Sequence, residues 1–142
     1  MTDRSGSAQW QGDLTSGTGS IRVGNGVFEG SYSFTSRFEE GAGTNPEQLI
    51  AAAHAACFSM ALSNILASAG HVPDSVDTSA NVHLRFIDGA PMIARIDLDT
   101  VGRVPGIDAE QFEKFAADAK ANCPVSRALA AVPEIVLTAR LA

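Results

Sequence analysis

Apolar and polar residues alternate in three short segments at the start of the chain, with glycine-rich turns between them. The segments read SAQWQGDL, TGSIRV and SYSFTSRF. A period of two is typical of β-strands, so the pattern predicts three strands. In the third segment, this period puts Tyr32, Phe34 and Phe38 on one face and Arg37 on the other.

The pattern then changes period and predicts a long helix. Asn45 suits the N-cap, Pro46 suits the first helical position, and Gln48 completes a capping-box pattern. The apolar pattern continues to about Ala69, and Gly70 marks the expected end of the helix. Small and apolar residues occur all round this helix, so we expect it to be buried on most faces at the centre of the fold.

Two longer strands follow, VDTSANVHLRFI and MIARIDLDTVG, with a hairpin turn at DGAP between them. Asp108 and Gln111 form a capping-box pattern that begins a second helix over residues 109–120. Pro124 restarts a short helix that is expected to reach Ala131. The segment EIVLTARL predicts a final strand.

The order of these elements is strands, helix, strands, helices and strand, which predicts an α+β fold. With 142 residues the chain has the size of one domain, so we expect a single domain over residues 1–142. Hydrophobic residues make up 45 % of the chain and aromatic residues 6 %, which indicates an aliphatic core. A domain of this size buries enough surface to fold without a structural metal or disulfide.

The formal net charge of −6 argues against a nucleic-acid partner, because proteins that bind nucleic acid carry basic patches. An acidic surface also binds anionic membranes poorly. The N-terminal segment MTDRSGSAQW has no apolar run, so no signal peptide is expected. The apolar stretch over residues 49–66 contains His54, Ser59 and Asn64, which predicts a core helix and not a membrane span. We therefore expect a cytoplasmic protein without membrane partners.

The chain has two cysteines, Cys57 and Cys123. A permanent disulfide is rare in the cytoplasm, so each thiol is either a packing residue or a redox group. Cys57 lies about three turns inside the long helix, where the helix dipole does not lower its pKa, and a thiolate there needs a cation from elsewhere. Cys123 directly precedes Pro124 at the start of the short helix, so local chemistry predicts the lower pKa for Cys123. The residues by themselves leave packing and redox roles open.

Three longer stretches resemble one known family. They read SRFEEGAGTNPEQL, NPEQLIAAAHAACFSMALS and VPGIDAEQFEKFAADAKANCPVSRAL. Together they are similar to the OsmC-like family, which contains osmotically inducible protein C and the organic hydroperoxide resistance proteins. The likeness extends from about Ala8 to Leu141 and is greater to the osmotically inducible branch. It implies an OsmC-like α+β fold, with antiparallel strands around a long buried central helix, in an intertwined homodimer.

The resemblance also implies a function, that of a cysteine-based peroxidase that reduces organic hydroperoxides to alcohols in an antioxidant stress response. By likeness to the family, Cys57 is the peroxidatic cysteine, and Cys123 is the resolving cysteine that closes a redox-active intramolecular disulfide. This assignment is opposite to the local ranking of the two thiols. Arg37 and Glu47 match the activating pair of the family, in which Glu47 orients the guanidinium that holds the thiolate. The implied reductant is a dithiol such as a dihydrolipoyl protein, and no cofactor is expected.

Helix geometry places a constraint on this site. Glu47 and Cys57 are ten positions apart on one predicted helix, which separates them by about 15 Å along its axis and by about 80° around it. An arginine bound to Glu47 does not easily reach Cys57 of the same chain. We therefore expect Glu47 and Arg37 to serve the cysteines of a partner subunit, in a homodimer with active sites at the subunit interface.

Other residues have simpler explanations. His54 lies one turn before Cys57 and is expected to be satisfied by a core partner, with a role as a base as the alternative. His71 is expected in a loop and His83 on a strand. No His, Cys or Asp spacing matches a metal site, so no metal is expected. Four apolar residues are expected in the core, where some of them line a pocket for alkyl or fatty-acid hydroperoxides: Phe34, Phe38, Phe58 and Met60.

Two alternative functions come from other classes. The first is a non-catalytic α+β module that binds a ligand and uses its cysteines for packing. The second is a thiol–disulfide exchanger that acts on proteins. The sequence has no C-x-x-C motif, which counts against the exchanger.

Overall fold

The computed structural model describes residues 3–142, and the chain divides into two compact units. The first unit ends at Leu49, and the second runs from Ile50 to Ala142. Each unit contains a three-stranded sheet, and helices follow the strands in both. This combination confirms the α+β class that the order of the sequence patterns predicts.

The sheet of the first unit is a meander of short strands. Strand β1 covers Gly6–Gln11, β2 covers Thr18–Val23 and β3 covers Phe28–Tyr32. Neighbouring strands pair antiparallel in the order β1-β2-β3, so the glycine-rich segments form the connections between them. A five-residue helix, α1, follows β3 and covers Phe34–Phe38.

The prediction of a strand over residues 31–38 is wrong for most of its length, because two serines cap α1. The Ser36 N–H donates to Ser33 Oγ over 3.2 Å, and the Ser33 N–H donates to Ser36 Oγ over 2.8 Å. This reciprocal capping satisfies backbone groups that a strand would pair with a neighbour. Phe34 and Phe38 share a face in either conformation, since residues four apart are also neighbours on a helix. Their ring centroids lie 4.9 Å apart.

Helix α2, Pro46–Ser68, has the ends that the sequence predicts. At its start, Asn45 Oδ1 accepts a hydrogen bond of 2.8 Å from the N–H of the third helical residue, as an N-cap does. The side chain of that third residue turns to the preceding loop, so only half of the capping box forms. At its end, Gly70 has a φ of 89°, and the His71 N–H donates to the Leu66 carbonyl over 2.8 Å. This is a Schellman motif, in which glycine accepts the left-handed backbone without strain.

Helix α2 is buried along one narrow stripe, so the prediction that it is buried on most faces is wrong for this chain. The stripe repeats every four residues and consists of His54, Phe58, Leu62 and Leu66. By length and hydropathy alone, α2 could cross a membrane, and 22 % of its most apolar 18-residue window is buried inside the protein. Met60 is 75 % exposed, so its assignment to the core is also wrong. Small and apolar residues on the other faces of α2 stay accessible.

The second unit continues from α2 with three strands and two helices: β4 (Ser75–Ile87), β5 (Ala90–Arg103), α3 (Ala109–Asn122), α4 (Pro124–Ala128) and β6 (Glu134–Leu141). Strands β4 and β5 form the predicted hairpin, and its turn residues Asp88 and Gly89 both have positive φ. Strand β6 pairs parallel to β5, which corrects for this strand the antiparallel arrangement that the resemblance implies. The connection through α3 and α4 provides the long crossover that parallel pairing needs.

The core of the second unit lies between α2, α3 and the sheet. Its main buried members come from three elements: Phe58, Leu62 and Leu66 of α2, Leu98 of β5, and Phe112, Ala116 and Ala119 of α3. The Phe112 ring packs directly on Gly102 of β5, where a Cβ atom would lie 2.5 Å from the ring. A glycine at this point of the strand lets α3 approach the sheet closely.

Gly102→Ala is expected to lower the free energy of unfolding by about 1–3 kcal/mol, because the new methyl group forces the buried Phe112 ring to move. Gly6→Ala is the matched control, since a Cβ atom at Gly6 meets its nearest atom at 3.5 Å, an ordinary contact. Urea unfolding of both variants measures the difference. Equal midpoints for the two variants would contradict the packing described for Phe112.

Candidate active site

Cys57 and Cys123 lie far apart in the sequence of the second unit and meet in its fold. Cys57 lies in α2, one residue before the core residue Phe58, and it is partly buried. Cys123 is fully buried at the junction where α3 ends and α4 begins. Both cysteines are free thiols, and their side chains form a hydrogen bond with each other. The structure thus places the two candidate redox groups side by side.

The junction between α3 and α4 is fixed by Pro124, which has no backbone N–H and suits the first position of a new helix. The Cys123 N–H donates to the Ala119 carbonyl over 2.8 Å at the end of α3. The Cys123 carbonyl accepts from the Arg127 N–H over 3.0 Å in the first turn of α4. Both backbone groups of Cys123 are therefore engaged, and its side chain is held facing Cys57.

The two thiols have different acidities in the chain. Burial raises the pKa of Cys57, and the hydrogen bond with Cys123 raises it further, against an opposing effect of the Val125 N–H. Burial acts in the same upward direction on Cys123, but hydrogen bonds outweigh it and lower the pKa of Cys123. These bonds come from Cys57, from the N–H and hydroxyl of Ser126, and from the Val125 N–H. The sulfur of Cys123 makes no capping hydrogen bond of standard geometry, so the N–H groups favour its thiolate without forming a full cap.

Within the chain, Cys123 is accordingly the more acidic of the two thiols. This order agrees with the ranking that local chemistry predicts from the sequence. It is opposite to the order that the family resemblance requires for attack on a peroxide. Besides burial, the pKa of Cys57 is set by Cys123 and Val125, which both belong to the second unit.

His54 lies one turn before Cys57 in α2 and is fully buried. Its Nε2 atom is 2.7 Å from the hydroxyl oxygen of Ser126, which confirms the expectation of a histidine with a core partner. Burial lowers the pKa of His54 below its ordinary value of 6.5, so the imidazole is neutral at neutral pH. Sequence reasoning missed Ser126. Ser126 lies three residues after Cys123 at the start of a helix, and this spacing is the signal for a contact between the two side chains, as in a capping box.

The first unit brings Arg37 and Glu47 together, from α1 and from the first turn of α2. Arg37 Nη2 donates to Glu47 Oε1 over 2.9 Å, and Arg37 Nε lies 3.2 Å from Oε1 and 3.3 Å from Oε2. Glu47 is 7 % exposed, whereas the Arg37 side chain is 37 % exposed. A buried carboxylate therefore fixes the orientation of a guanidinium that keeps part of its surface accessible.

An apolar pocket of about 420 Å³ lies beside Arg37 in the first unit. Its large lining side chains come from the meander and α1: Trp10, Leu14, Tyr32, Phe34 and Phe38. Two of the four apolar residues proposed from the sequence thus line a pocket, whereas Phe58 belongs to the core of the second unit. Sequence reasoning missed Trp10 and Leu14. A glycine inside strand β2, Gly19, is the signal that sequence reasoning passed over, because a Cβ atom there would overlap the Tyr32 and Trp10 rings.

The remaining histidines make ordinary contacts. His83 Nε2 lies 2.7 Å from Asp97 Oδ2, and Arg95 Nε donates to the same carboxylate over 2.6 Å. His71 packs against the Phe115 ring, with ring centroids 6.3 Å apart. Between residues 3 and 142, no group of three or more His, Cys, Asp or Glu side chains is placed to hold a metal ion. The described residues therefore offer a thiol pair in one unit and a guanidinium–carboxylate pair in the other.

Comparisons with known proteins find a matching family and relatives over most of the chain. A family model described as OsmC-like protein matches residues 39–138. The chain is 48 % identical to peroxiredoxin OsmC of Escherichia coli over 139 residues, which cover 97 % of this chain and 96 % of that protein. It is 33 % identical to organic hydroperoxide resistance protein OhrA of Bacillus subtilis over 94 residues, which cover 66 % of this chain and 65 % of that protein.

The fold is also similar to that of a solved structure. This is the crystal structure of an organic hydroperoxide resistance protein OsmC from Legionella pneumophila, which matches with a TM-score of 0.73. The match covers 97 % of this chain and 96 % of that chain at 22 % sequence identity. At this identity the likeness shows the fold alone.

The buried His54 predicts that the folded chain loses stability as the pH falls below about 6.5. Below that pH the unfolded chain binds a proton that the buried imidazole does not bind, so stability falls by at most about 1.4 kcal/mol per pH unit until the folded pKa is reached. His54→Gln removes this titration and keeps a polar side chain. Urea unfolding between about pH 7 and pH 5 is expected to show a smaller loss for His54→Gln than for the parent chain. Identical pH slopes for the two proteins would contradict the burial of a neutral imidazole.

Proposed function

The chain belongs to the OsmC-like family, and on that premise we propose that it is a cysteine-based peroxidase that reduces organic hydroperoxides to alcohols. The observation that carries this proposal is the meeting of two free thiols, Cys57 and Cys123, in the second unit. Two thiols in contact donate two electrons to an oxidant and end as a disulfide. The relatives named peroxiredoxin and organic hydroperoxide resistance protein support the same chemistry.

In the first step, the Cys57 thiolate attacks one oxygen of the hydroperoxide. An S–O bond forms and the O–O bond breaks, and the alkoxide takes up a proton to become the alcohol. Cys57 is then a sulfenic acid. The guanidinium of Arg37, oriented by Glu47, holds the attacking thiolate and stabilises the alkoxide as its charge develops.

In the second step, Cys123 attacks the oxidised sulfur of Cys57. The disulfide forms, the S–O bond breaks, and water leaves. An external dithiol then reopens the disulfide by thiol–disulfide exchange, which returns both cysteines to the free state. We propose a dithiol reductant such as a dihydrolipoyl protein for this last step.

The peroxidatic thiolate needs a cation, because the pKa of Cys57 is raised within the chain. Glu47 and Cys57 are ten positions apart on the uninterrupted helix α2, which corresponds to about 15 Å along its axis. We propose that the Arg37–Glu47 pair of one subunit serves Cys57 of the other subunit in a two-fold homodimer. The accessible face of α2 supports this arrangement, since it presents small and apolar side chains to a second copy: Ala52, Ala53, Ala56, Met60 and Ala67.

The apolar pocket beside Arg37 supports an organic substrate. Its volume of about 420 Å³ is in the usual range for small-molecule sites, and its aromatic lining suits an alkyl chain. We propose that Phe34 and Phe38 favour alkyl or fatty-acid hydroperoxides over hydrogen peroxide by contact with that chain. Hydrogen peroxide has no apolar group to bury there.

The family match runs over residues 39–138 and so includes parts of both compact units, which supports one OsmC-like domain over residues 1–142. The two cysteines are free thiols in contact, which suits the reducing cytoplasm. We propose the cytoplasm as the location on these grounds, together with the acidic composition of the chain.

Cys57→Ser is expected to abolish the consumption of cumene hydroperoxide in the presence of a dithiol, because the attacking sulfur is gone. Cys123→Ser is expected to permit one oxidation of Cys57 and then to stop, because no resolving thiol remains. Intact-mass measurement after one equivalent of hydroperoxide checks both expectations. The parent chain is expected to lose two hydrogens through a Cys57–Cys123 disulfide.

The same mass measurement separates the peroxidase from its rivals. A non-catalytic binding module would keep its mass after exposure to hydroperoxide. A thiol–disulfide exchanger would reduce protein disulfides readily and would react with hydroperoxide no faster than a free thiol. Peroxide turnover by Cys57→Ser at the parent rate would show that the assignment of Cys57 is wrong.

Mixed dimers test whether Arg37 acts across the subunit interface. Arg37→Ala alone is expected to raise the pKa of Cys57 and to slow the first step, because the thiolate loses its cation. When Arg37→Ala and Cys57→Ser chains are unfolded and refolded together, each mixed dimer regains one complete site if the arginine serves the partner. Random pairing then gives roughly a quarter of the parent activity, although Cys57→Ser is inactive alone and Arg37→Ala is slow alone.

An arginine that serves the cysteine of its own chain gives a different result. No mixed dimer then contains a complete site, and the refolded mixture is no more active than the separate variants. Refolding each variant alone controls for losses during the procedure.

A further inference from the structure

A buried row of hydrogen bonds connects His54 to Cys123 through Ser126. His54 Nε2 lies 2.7 Å from Ser126 Oγ, and the Ser126 hydroxyl interacts in turn with the Cys123 sulfur. His54 and Cys123 are fully buried, and Ser126 is 7 % exposed. Ser126 is the third residue of α4 and Cys123 is its N-cap, two positions whose side chains are neighbours. His54 and Cys57 are also neighbours, three positions apart on α2.

The direction of these hydrogen bonds follows from the number of protons available. Ser126 has one hydroxyl proton, so when it donates to Cys123 its oxygen accepts from an N–H at His54 Nε2. A neutral imidazole with its proton on Nε2 leaves a lone pair at Nδ1. Nδ1 is buried and has no partner in the described part of the chain. Buried N–H groups without an acceptor are rarer than acceptors without a donor, so the bare Nδ1 favours the same direction.

We propose that His54 and Ser126 are positioning residues for the resolving step: the imidazole holds the Ser126 hydroxyl proton on the Cys123 sulfur, and the hydroxyl stabilises the Cys123 thiolate. This inference rests on the proposed peroxidase function, because it concerns the attack of Cys123 on the oxidised Cys57. Neither residue touches the peroxide. His54 acts only through Ser126, and Ser126 acts only through Cys123.

The step balances without a further reactant. The Cys123 thiolate donates an electron pair to the sulfur of the Cys57 sulfenic acid, so that the S–S bond forms and the S–O bond breaks. The leaving hydroxide takes up the proton that Cys123 released on ionisation and becomes water. The hydroperoxide has already removed the two electrons from Cys57 in the first step. Ser126 loses its charged acceptor when the disulfide forms.

The groups that act on Cys123 are few. Cys57 of α2 is the titratable group among them, and α4 contributes the neutral Val125 and Ser126. Burial is the cause that lowers the pKa of His54, and no charged side chain of the described residues contributes to it. A change in the acidity of Cys123 on removal of His54 or the Ser126 hydroxyl therefore reports on this row of hydrogen bonds.

Ser126→Ala and His54→Leu test the proposal, first in a Cys57→Ser background where Cys123 is titrated alone by its thiolate absorbance. Both are expected to raise the apparent pKa of Cys123 by about one unit, the effect of one lost hydrogen bond to a charged acceptor. With Cys57 present, rapid mixing with cumene hydroperoxide is expected to oxidise Cys57 at least as fast as in the parent chain, because a less ionised Cys123 opposes the ionisation of Cys57 less. Disulfide formation is then expected to be about tenfold slower at neutral pH, since one pKa unit is a tenfold change in the thiolate fraction.

Conservative variants separate positioning from packing. Ser126→Thr keeps the hydroxyl and His54→Gln keeps an N–H donor near the Nε2 position, so both are expected to recover most of the disulfide rate. Ser59→Ala is the matched control. It removes a hydroxyl from α2, the helix of His54, and this hydroxyl donates to Thr78 over 2.8 Å. It is expected to leave the apparent pKa of Cys123 unchanged and the rate of disulfide formation within about twofold of the parent.

Each outcome decides one part of the proposal. An unchanged titration and an unchanged disulfide rate in Ser126→Ala and His54→Leu would overturn it. An effect of Ser126→Ala without an effect of His54→Leu would remove His54 from the positioning role. If the parent chain forms no sulfenic acid with hydroperoxide, the peroxidase function fails, while the titration of Cys123 still decides about the hydrogen bonds. If His54→Leu fails to unfold cooperatively, Ser126→Ala, which removes one oxygen atom, carries the test.

Discussion

The hydrogen bond between the Cys57 and Cys123 sulfurs is the interaction on which the site depends. When two thiols in contact lose one proton, their surroundings decide which sulfur carries the charge. Within the chain, burial raises the pKa of Cys57, whereas hydrogen bonds outweigh burial and lower the pKa of Cys123. The chain by itself therefore prepares the resolving thiol. Activation of the other sulfur needs a positive charge that the surroundings of Cys57 in the second unit do not supply.

The two units divide the chemistry between them. The second unit holds the thiols on a helix and a helix junction that pack into its core. The first unit holds a guanidinium fixed by a buried carboxylate, beside an apolar pocket. Helix α2 carries Glu47 in its first turn and Cys57 ten positions later. The proposed two-fold dimer unites them, and the accessible apolar face of α2 gives a physical reason for two copies to associate.

Local residue chemistry predicted most element ends correctly. Asn45 and Asp108 cap the two longest helices, Gly70 ends α2, and Asp88 with Gly89 forms the hairpin turn. These signals work because each depends on a few neighbouring atoms. The short helix α1 was mistaken for a strand because Phe34 and Phe38 share a face in both conformations. The parallel pairing of β6 was also missed, since the apolar pattern of a strand carries no information on its direction.

The sequence by itself determined the family and the class of fold, because long stretches of residues match the family, and the same likeness singled out the four residues with candidate chemistry. Its local ranking of the two thiols agrees with the directions of their pKa shifts in a single chain, since the start of α4 acts on Cys123 through adjacent backbone groups. Only the tertiary structure decided that the thiols touch, that Arg37 binds Glu47, and that His54 reaches Ser126. Each of these contacts joins residues of different elements, and their distances depend on how helices and turns pack, which no local pattern records.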